Sequence, residues 1–179
     1  MSIVKINTFD DVILFSENTL VICDIDDTIL HYPDCMEKCM QKLQKMYPNM
    51  TYDFYLRSIE NLIYQYKYDE TPVHTDPDGF NNLLNRLKNT NGNLIFLTAR
   101  TKTYEEKTVE HFDNIGLVYD EYEVHYTDNI ITKGQYIEKY LMDHIQKANQ
   151  VIFIDDYDIY IQSVLDVFPS IKCYQFKCK

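Results

Sequence analysis

The sequence predicts an α/β protein in which helices cover both faces of a parallel sheet. Two observations support this class: short apolar, β-branched runs recur along the chain, and helical patterns separate them. Strands that alternate with helices are typical of βαβ units, whose strands run parallel. A third observation is that two of the apolar runs stop abruptly at clustered aspartates. Ligand sites of open α/β sheets lie just outside the carboxyl ends of strands, so these acids mark a candidate site.

The predicted elements alternate along most of the chain. The predicted strands are Leu20–Ile25, Asn93–Leu97, a weaker one near Glu121–His125, Gln150–Ile154 and a final Ile171–Phe176. The predicted helices are one opened by Asp76-Pro77-Asp78 and ended before Gly92, followed by about Thr103–Asn114, Lys133–Lys147 and Ile159–Val167. A proline in the first turn, a glycine after the last turn and apolar residues at helical spacing favour these assignments.

Residues 31–74 interrupt this alternation. They hold two helical patterns, about Asp34–Met46 and Thr51–Tyr66, and many aromatic side chains. We therefore expect a core of residues 1–30 and 75–179, with a small helical cap of residues 31–74 inserted after the first core strand. Caps of this kind exclude water and contact substrates. The aromatic residues either pack the two helices together or contact a substrate.

Charge and composition exclude several classes of function. The chain has 179 residues and a net charge of -11, which repels nucleic-acid backbones and anionic membranes. No apolar stretch has the length of a transmembrane helix, and the N-terminal residues do not have the pattern of a signal peptide. The five cysteines form no CxxC pair, and Cys35 and Cys39 are either buried thiols or ligands of a zinc ion. A cytoplasmic location is expected, in the host cytoplasm if the source is viral.

The first acidic segment follows the run Leu20–Ile25. Asp24, Asp26 and Asp27 crowd the end of a buried strand, which is costly unless a cation or protons offset their repulsion. The alternative is a turn followed by a helix N-cap, for which Asp and Thr are both suitable.

A second pair of acids and two further residues complete the candidate site. Asp155 and Asp156 end another buried strand, and hard oxygen ligands with few His or Cys nearby favour Mg²⁺ over zinc. Thr98 ends a strand, where it either holds a phosphate oxygen or caps a helix. Lys133 begins a helix, where a cation opposes the macrodipole, so it either meets an anionic partner or lies in solvent.

Four segments in this order resemble the four motifs of the haloacid dehalogenase-like (HAD) hydrolases: Asp24-Ile25-Asp26-Asp27-Thr28, Thr98, Lys133 and Asp155-Asp156. The similarity extends over nearly the whole chain outside the insertion and implies a Rossmann-like fold. Leu97–Arg100 and Thr132–Gly134 further resemble a little-characterised bacterial and viral branch of these proteins. That branch has an asparagine after the Asp pair where this chain has Tyr160, and Asp158 is a candidate substitute.

The resemblance implies a phosphatase that works in two chemical steps. Asp24 would attack phosphorus and form an aspartyl-phosphate. Asp26 would protonate the leaving alkoxide and then deprotonate the hydrolytic water. For the first of these tasks Asp26 needs a proton near neutrality, so its side chain is expected to point away from the metal.

The resemblance also implies phosphate and metal ligands. Thr98 and Lys133 would hold phosphoryl oxygens, whereas Arg100 contacts either the substrate or the protein. Mg²⁺ would bind Asp24, the backbone carbonyl of Asp26, and Asp155, with Asp156 a further ligand or an orienting group.

The expected substrate is a small phosphorylated metabolite. A nucleoside monophosphate is one candidate because an aromatic cap could stack a base, and sugar phosphates or a phosphorylated protein side chain also fit. The alternatives are a phosphotransferase with the same residues, a phospho-accepting receiver-like signalling domain, and an inactive binding protein that keeps the fold.

Overall fold

The computed structural model describes residues 3–51, 54 and 67–178. The described strands are β1 (Val4–Ile6), β2 (Thr19–Cys23), β3 (Leu30–His31), β4 (Val73–His74), β5 (Asn93–Thr98), β6 (Glu123–Tyr126), β7 (Gln150–Asp155) and β8 (Lys172–Phe176). Six of these strands form one sheet in the order β1-β8-β7-β2-β5-β6. Every pairing within this sheet is parallel, which confirms the predicted fold class.

The central strand β2 is buried on both faces. Val21 and Cys23 belong to one apolar cluster of the core, and Leu20 and Ile22 belong to the other. Such a strand reads as a continuous apolar run because neither face meets water. Cys23 is aligned with Phe96 of β5 and Ile154 of β7, so the carboxyl ends of these three strands lie side by side.

Helices cover both faces of the sheet. They are α1 (Cys35–Met46), α2 (Pro77–Asn89), α3 (Glu105–Asn114), α4 (Lys133–Tyr140), α5 (Met142–Lys147) and α6 (Asp158–Val167). Local chemistry sets several of their ends. The Asp76 carboxylate accepts a hydrogen bond from the Gly79 N–H at the start of α2. Thr132 and Gln135 form a capping box at the start of α4.

Two local predictions differ from the structure. The single helix predicted over Lys133–Lys147 is divided at Leu141, whose backbone (φ -115°, ψ 11°) leaves the helical conformation. The division keeps Leu141 and Ile145 packed against the same apolar cluster. The edge strand β1 was not predicted, because three residues with Lys5 at the centre are too short to show a period. The five predicted strands are present to within two residues at each end.

Two short strands lie at the ends of the predicted insertion. β3 and β4 pair antiparallel, with Leu30 opposite His74 and His31 opposite Val73. Helix α1 matches the first predicted helix of the insertion, whereas the second, Thr51–Tyr66, lies almost entirely outside the described residues. The division into a core and a cap of residues 31–74 therefore stays a prediction.

Two of the expectations from composition concern membranes and cysteines. Within the described ranges, no helix is both long enough and apolar enough to cross a bilayer. Cys35 and Cys39 are buried free thiols on α1, and neither belongs to the metal-compatible cluster described below.

Gly134 permits the close approach of α4 to α6. A Cβ atom at this position would lie 1.9 Å from the carbonyl oxygen of Ser163. We expect Gly134→Ala to lower the free energy of unfolding by about 1–3 kcal/mol, because the two backbones must separate. Urea denaturation measures this change. Glu138→Ala, on the exposed face of the same helix, is the control and should stay within about 0.5 kcal/mol of the wild type. Equal stability of the two variants would contradict this packing.

Candidate active site

The loop after β2 separates its acidic side chains. Asp27 adopts a left-handed backbone (φ 58°), which Asp tolerates better than most residues. Its N–H donates to the carbonyl of Leu30 over 2.7 Å, and the N–H groups of Ile29 and Leu30 donate to the carbonyl of Ile25. The loop leads into β3 and not into a helix, so the helix N-cap alternative is excluded.

A buried lysine joins the two acidic strand ends. Lys133 Nζ donates to Asp24 Oδ1 and, over 2.7 Å, to Asp155 Oδ2, while Thr28 Oγ1 donates to Asp24 Oδ2 over 3.2 Å. The side chains of Lys133 and Asp155 are 0% exposed. The solvent alternative for Lys133 is therefore excluded. Isolated charges at this depth would be very costly, so the three groups depend on one another.

Burial and mutual attraction shift the protonation equilibria of this cluster. Burial raises the pKa of Asp24 and of Asp155, and Lys133 opposes the rise. Burial alone would lower the pKa of Lys133, but its two carboxylate partners outweigh that effect and raise it. The lysine is therefore a permanent cation between two acids.

The residues fit a divalent cation. Asp24, Asp155 and Asp156 each offer an oxygen within 4.8 Å of the others, the one such group found in the described part of the chain. Burial, together with Asp155 and Asp27, raises the pKa of Asp156 to about 7. Three crowded carboxylates of this kind are stabilised by a positive ion, and an all-oxygen donor set favours Mg²⁺. The carboxylate of Asp26 lies outside this group.

Thr98 brings the β5 strand end to the same place. It is buried, and its Oγ1 accepts a hydrogen bond from the Arg100 N–H over 3.1 Å. Thr98 lines a cavity of about 390 Å³ together with Asp24, Asp26 and Asp156. The structure thus brings the predicted phosphate-binding threonine to the predicted nucleophile and metal ligands.

Asp26 and Arg100 form a second charged pair beside the first cluster. Arg100 Nε donates to Asp26 Oδ2 over 2.9 Å and Arg100 Nη2 to Oδ1 over 2.8 Å, and Tyr32 donates to Oδ1 over 3.0 Å. Burial alone would raise the pKa of Asp26, but Arg100 and Lys67 hold it well below its usual range. The expectation that Asp26 holds a proton near neutrality is therefore not met in this conformation, because its carboxylate faces two cations.

Lys67 is a residue of the cavity that sequence reasoning missed. Its Nζ donates to Asp27 Oδ2 over 2.7 Å and lies 3.7 Å from Asp26 Oδ1, and its side chain is 7% exposed. Lys67 and its neighbour Tyr68 line the cavity from the predicted insertion. No local pattern distinguishes this lysine from the others of the insertion, so only the folded chain identifies it.

Asp158, two residues after the second acidic pair, reaches that pair through Gln175. Gln175 Nε2 donates to the carbonyl oxygen of Asp156 over 3.0 Å and also to the carboxylate of Asp158. Asp158 thus contacts the main chain of the pair through Gln175 instead of bonding to either carboxylate. The ring of Tyr160, at the position of the missing asparagine, lies 4.7 Å from Lys133 Nζ.

A family comparison matches most of the chain. Residues 4–132 match the model of a family described as "Protein of unknown function (DUF2608)". The chain belongs to this family. No curated protein sequence matches the chain.

Several solved structures resemble the fold of this chain. A Thermotoga maritima protein provisionally assigned as a beta-phosphoglucomutase is 13% identical, with a TM-score of 0.62 over 88% of this chain and 84% of its own. A haloacid dehalogenase-like hydrolase of Streptococcus pneumoniae is 13% identical, with a TM-score of 0.56 over the same shares. The class C acid phosphatase of Bacillus anthracis is 14% identical, with a TM-score of 0.50 over 92% of this chain and 68% of its own. The chain therefore has the HAD-like fold, as the resemblance of its motifs indicates.

Removing the charge of Lys133 tests the electrostatic coupling of the cluster. In EDTA near neutral pH, Lys133→Met should lower the free energy of unfolding by about 3 kcal/mol, because two buried carboxylates lose their cation. This loss of stability should become smaller as the pH falls from neutrality, because the raised pKa values of the buried carboxylates let the folded state take up protons that the unfolded chain does not yet bind. Thermal denaturation measures both effects.

Lys139→Met is the matched control for this experiment, because Lys139 lies on the exposed side of the same helix. Added Mg²⁺ should recover part of the stability of Lys133→Met and change the control no more than the wild type. A Lys133→Met protein as stable as the control in EDTA would contradict the coupling.

Proposed function

We propose that the protein is a Mg²⁺-dependent phosphomonoester hydrolase that forms an aspartyl-phosphate on Asp24. One observation carries this proposal: Asp24 lies at the wall of a cavity, beside Thr98, Asp26 and the group of acids that fits a divalent cation. A carboxylate is a poor nucleophile unless its surroundings orient it and keep it ionised. Thr28 and Lys133 supply that orientation, with one hydrogen bond to each oxygen of Asp24.

The reaction assigns one task to each side chain. An oxygen of Asp24 attacks phosphorus, the bond from phosphorus to the leaving oxygen breaks, and Asp26 donates a proton to that oxygen. Asp26 then takes a proton from the water that splits the Asp24–phosphate bond. Thr98 and Lys133 contact the phosphoryl oxygens and offset their charge. Asp24, Asp155, Asp156 and the main-chain carbonyl of Asp26 would hold Mg²⁺, which would neutralise a further part of that charge.

The protonation state of Asp26 follows from its neighbours. Its carboxylate, held by Arg100, is already in the form that takes a proton from water. A phosphate dianion in the cavity opposes the charges of Arg100 and Lys67, and this raises the pKa of Asp26 toward the protonated form that the first step needs.

The comparisons support a phosphate enzyme. The similar structures include proteins described as an acid phosphatase and as hydrolases. Another is described as a phosphoglucomutase, so transfer of the phosphate to a second alcohol is the second candidate. A receiver-like signalling domain is the weaker explanation, since the chain has the HAD-like fold and the proposed acceptor, Asp24, follows β2 and precedes the acidic pair Asp155-Asp156 in the chain.

The cavity favours a small phosphorylated molecule. Besides the charged groups, Tyr68, Tyr157 and Tyr160 line its wall, and these rings can contact the base of a nucleoside monophosphate. Residues 31–74 would act as the cap that supplies Lys67 and Tyr68. The net charge of -11 disfavours a long nucleic acid as substrate.

A panel of phosphate esters, assayed with Mg²⁺ and with EDTA, tests the proposal. We expect turnover that EDTA abolishes, and we expect Asp24→Asn to lose turnover because an amide does not attack phosphorus. Asp113→Asn, on the exposed surface of α3, is the matched control and should keep full activity. Circular dichroism should show both variants folded. Wild-type turnover in Asp24→Asn would exclude the aspartyl-phosphate route.

A further inference from the structure

Arg100 lies at the centre of a buried hydrogen-bond network. Besides its two bonds to Asp26, Nη1 donates to Thr108 Oγ1 over 2.9 Å and Nη2 donates to the Tyr32 hydroxyl over 2.6 Å. The guanidinium also lies 5.2 Å from the centre of the Tyr68 ring. Its side chain is 0% exposed, so these partners fix its position.

His111 connects this network to the main chain at Tyr68. The Nε2 atom of His111 lies 3.2 Å from the Tyr68 carbonyl oxygen, which only accepts, so Nε2 carries the hydrogen. The other ring nitrogen, Nδ1, is therefore an acceptor. It lies 3.2 Å from Arg100 Nη2, whose two hydrogens are shared among Asp26, Tyr32 and this nitrogen, and 3.1 Å from the Tyr32 oxygen, whose one hydrogen goes to Asp26. Burial and the charge of Arg100 lower the pKa of His111 to about 4, so the ring is neutral at neutral pH.

The two tyrosines mark both connections of the insertion to the core. Tyr32 directly follows β3, and Tyr68 lies five residues before β4 begins at Val73. Segments near both ends of residues 31–74 therefore contact the same guanidinium, one through Tyr32 and the other through Tyr68. Any change in the position of these connections changes the surroundings of Arg100.

An arginine suits this task better than a lysine. Its planar guanidinium makes two parallel hydrogen bonds, which fix both the plane and the direction of a carboxylate. A lysine keeps the charge but offers a single point of attachment. The difference between the two residues therefore separates the orientation of Asp26 from the electrostatic effect on it.

We infer that Arg100 is a positioning residue that directs the Asp26 carboxylate at the leaving-group oxygen, and that His111 and Tyr32 tie this orientation to the two connections of residues 31–74. The inference rests on the proposed function. Of the two roles that the sequence allows for Arg100, it favours a contact with the protein over a contact with the substrate phosphate. Arg100 then acts through Asp26 without touching the phosphoryl group.

The leaving group of the substrate tests the inference. A proton donor matters most for alkyl phosphates, whose leaving alkoxides are strongly basic, and least for p-nitrophenyl phosphate. In Arg100→Lys we expect kcat/KM to fall about 30-fold for alkyl phosphates and to stay within about threefold for p-nitrophenyl phosphate. The inhibition constant of inorganic phosphate should not change.

Arg86→Lys is the matched control for this substitution. Arg86 is partly buried and donates to the carbonyls of Phe9 and Val12, away from the cavity. Its substitution should affect both classes of substrate equally, if at all. An equal loss on both classes in Arg100→Lys, or weaker binding of inorganic phosphate, would overturn the positioning role of Arg100.

Two further variants test the link to the insertion and guard against a misfolded Arg100→Lys. Tyr32→Phe removes only the hydroxyl, and His111→Gln removes the imidazole. Both should shift the preference toward p-nitrophenyl phosphate in the same direction as Arg100→Lys. His125→Gln on the edge strand β6 is the histidine control and should not shift it.

The outcomes separate this inference from the proposed function. A wild-type protein without turnover of any ester would end the proposed function and the inference together. Turnover with no shift in leaving-group preference in Tyr32→Phe and His111→Gln would end only the link to the insertion. Turnover with a uniform loss in Arg100→Lys would end only the positioning role of Arg100.

Discussion

The burial of Lys133 between Asp24 and Asp155 is the interaction on which the rest of the site depends. The two acids lie at the ends of neighbouring strands whose register places Cys23 beside Ile154, and both side chains are almost entirely buried. Lys133 reaches them from the first turn of α4, and that helix lies close to α6 because Gly134 has no side chain. The buried charges therefore stay paired only if the sheet register and the packing of α4 against α6 are both correct. A buried charge without its partner is more costly than most single packing defects.

A second charge network lies beside the first and gives a neighbouring aspartate the opposite environment. Burial raises the pKa of Asp24, whereas Arg100 and Lys67 lower that of Asp26. The proposed reaction needs the reverse order, because Asp24 attacks as a carboxylate and Asp26 donates a proton. A divalent cation beside Asp24 would lower its pKa, and a phosphate dianion beside Arg100 and Lys67 would raise that of Asp26. The tight loop around Asp27 makes the two different environments possible, because it turns two side chains only two residues apart toward different partners. The same loop places both networks on the wall of a single cavity.

Local patterns in the sequence were sufficient for five of the six strands of the sheet and for the motifs at their ends. A strand such as β2 is buried on both faces, so its composition alone reveals it, and acids at its end are conspicuous. Capping chemistry placed the start of α2 correctly, because the cap is made within four residues. The same reasoning missed β1, which has three residues, and the break at Leu141, which depends on packing against the sheet. It also missed Lys67, whose partners lie forty residues away in the chain.

The sequence by itself determined the fold class, the order of five strands along the chain and the motif residues that gather at one edge of the sheet. These follow from periodicity and local composition, which act over a few residues. Only the tertiary structure decided that Lys133 is buried between two acids, that Arg100 makes two hydrogen bonds to Asp26, and that His111, Tyr32 and Tyr68 contact the same guanidinium. Those contacts join residues far apart in the chain, and their energies depend on distance and on exclusion from water, which sequence spacing does not specify.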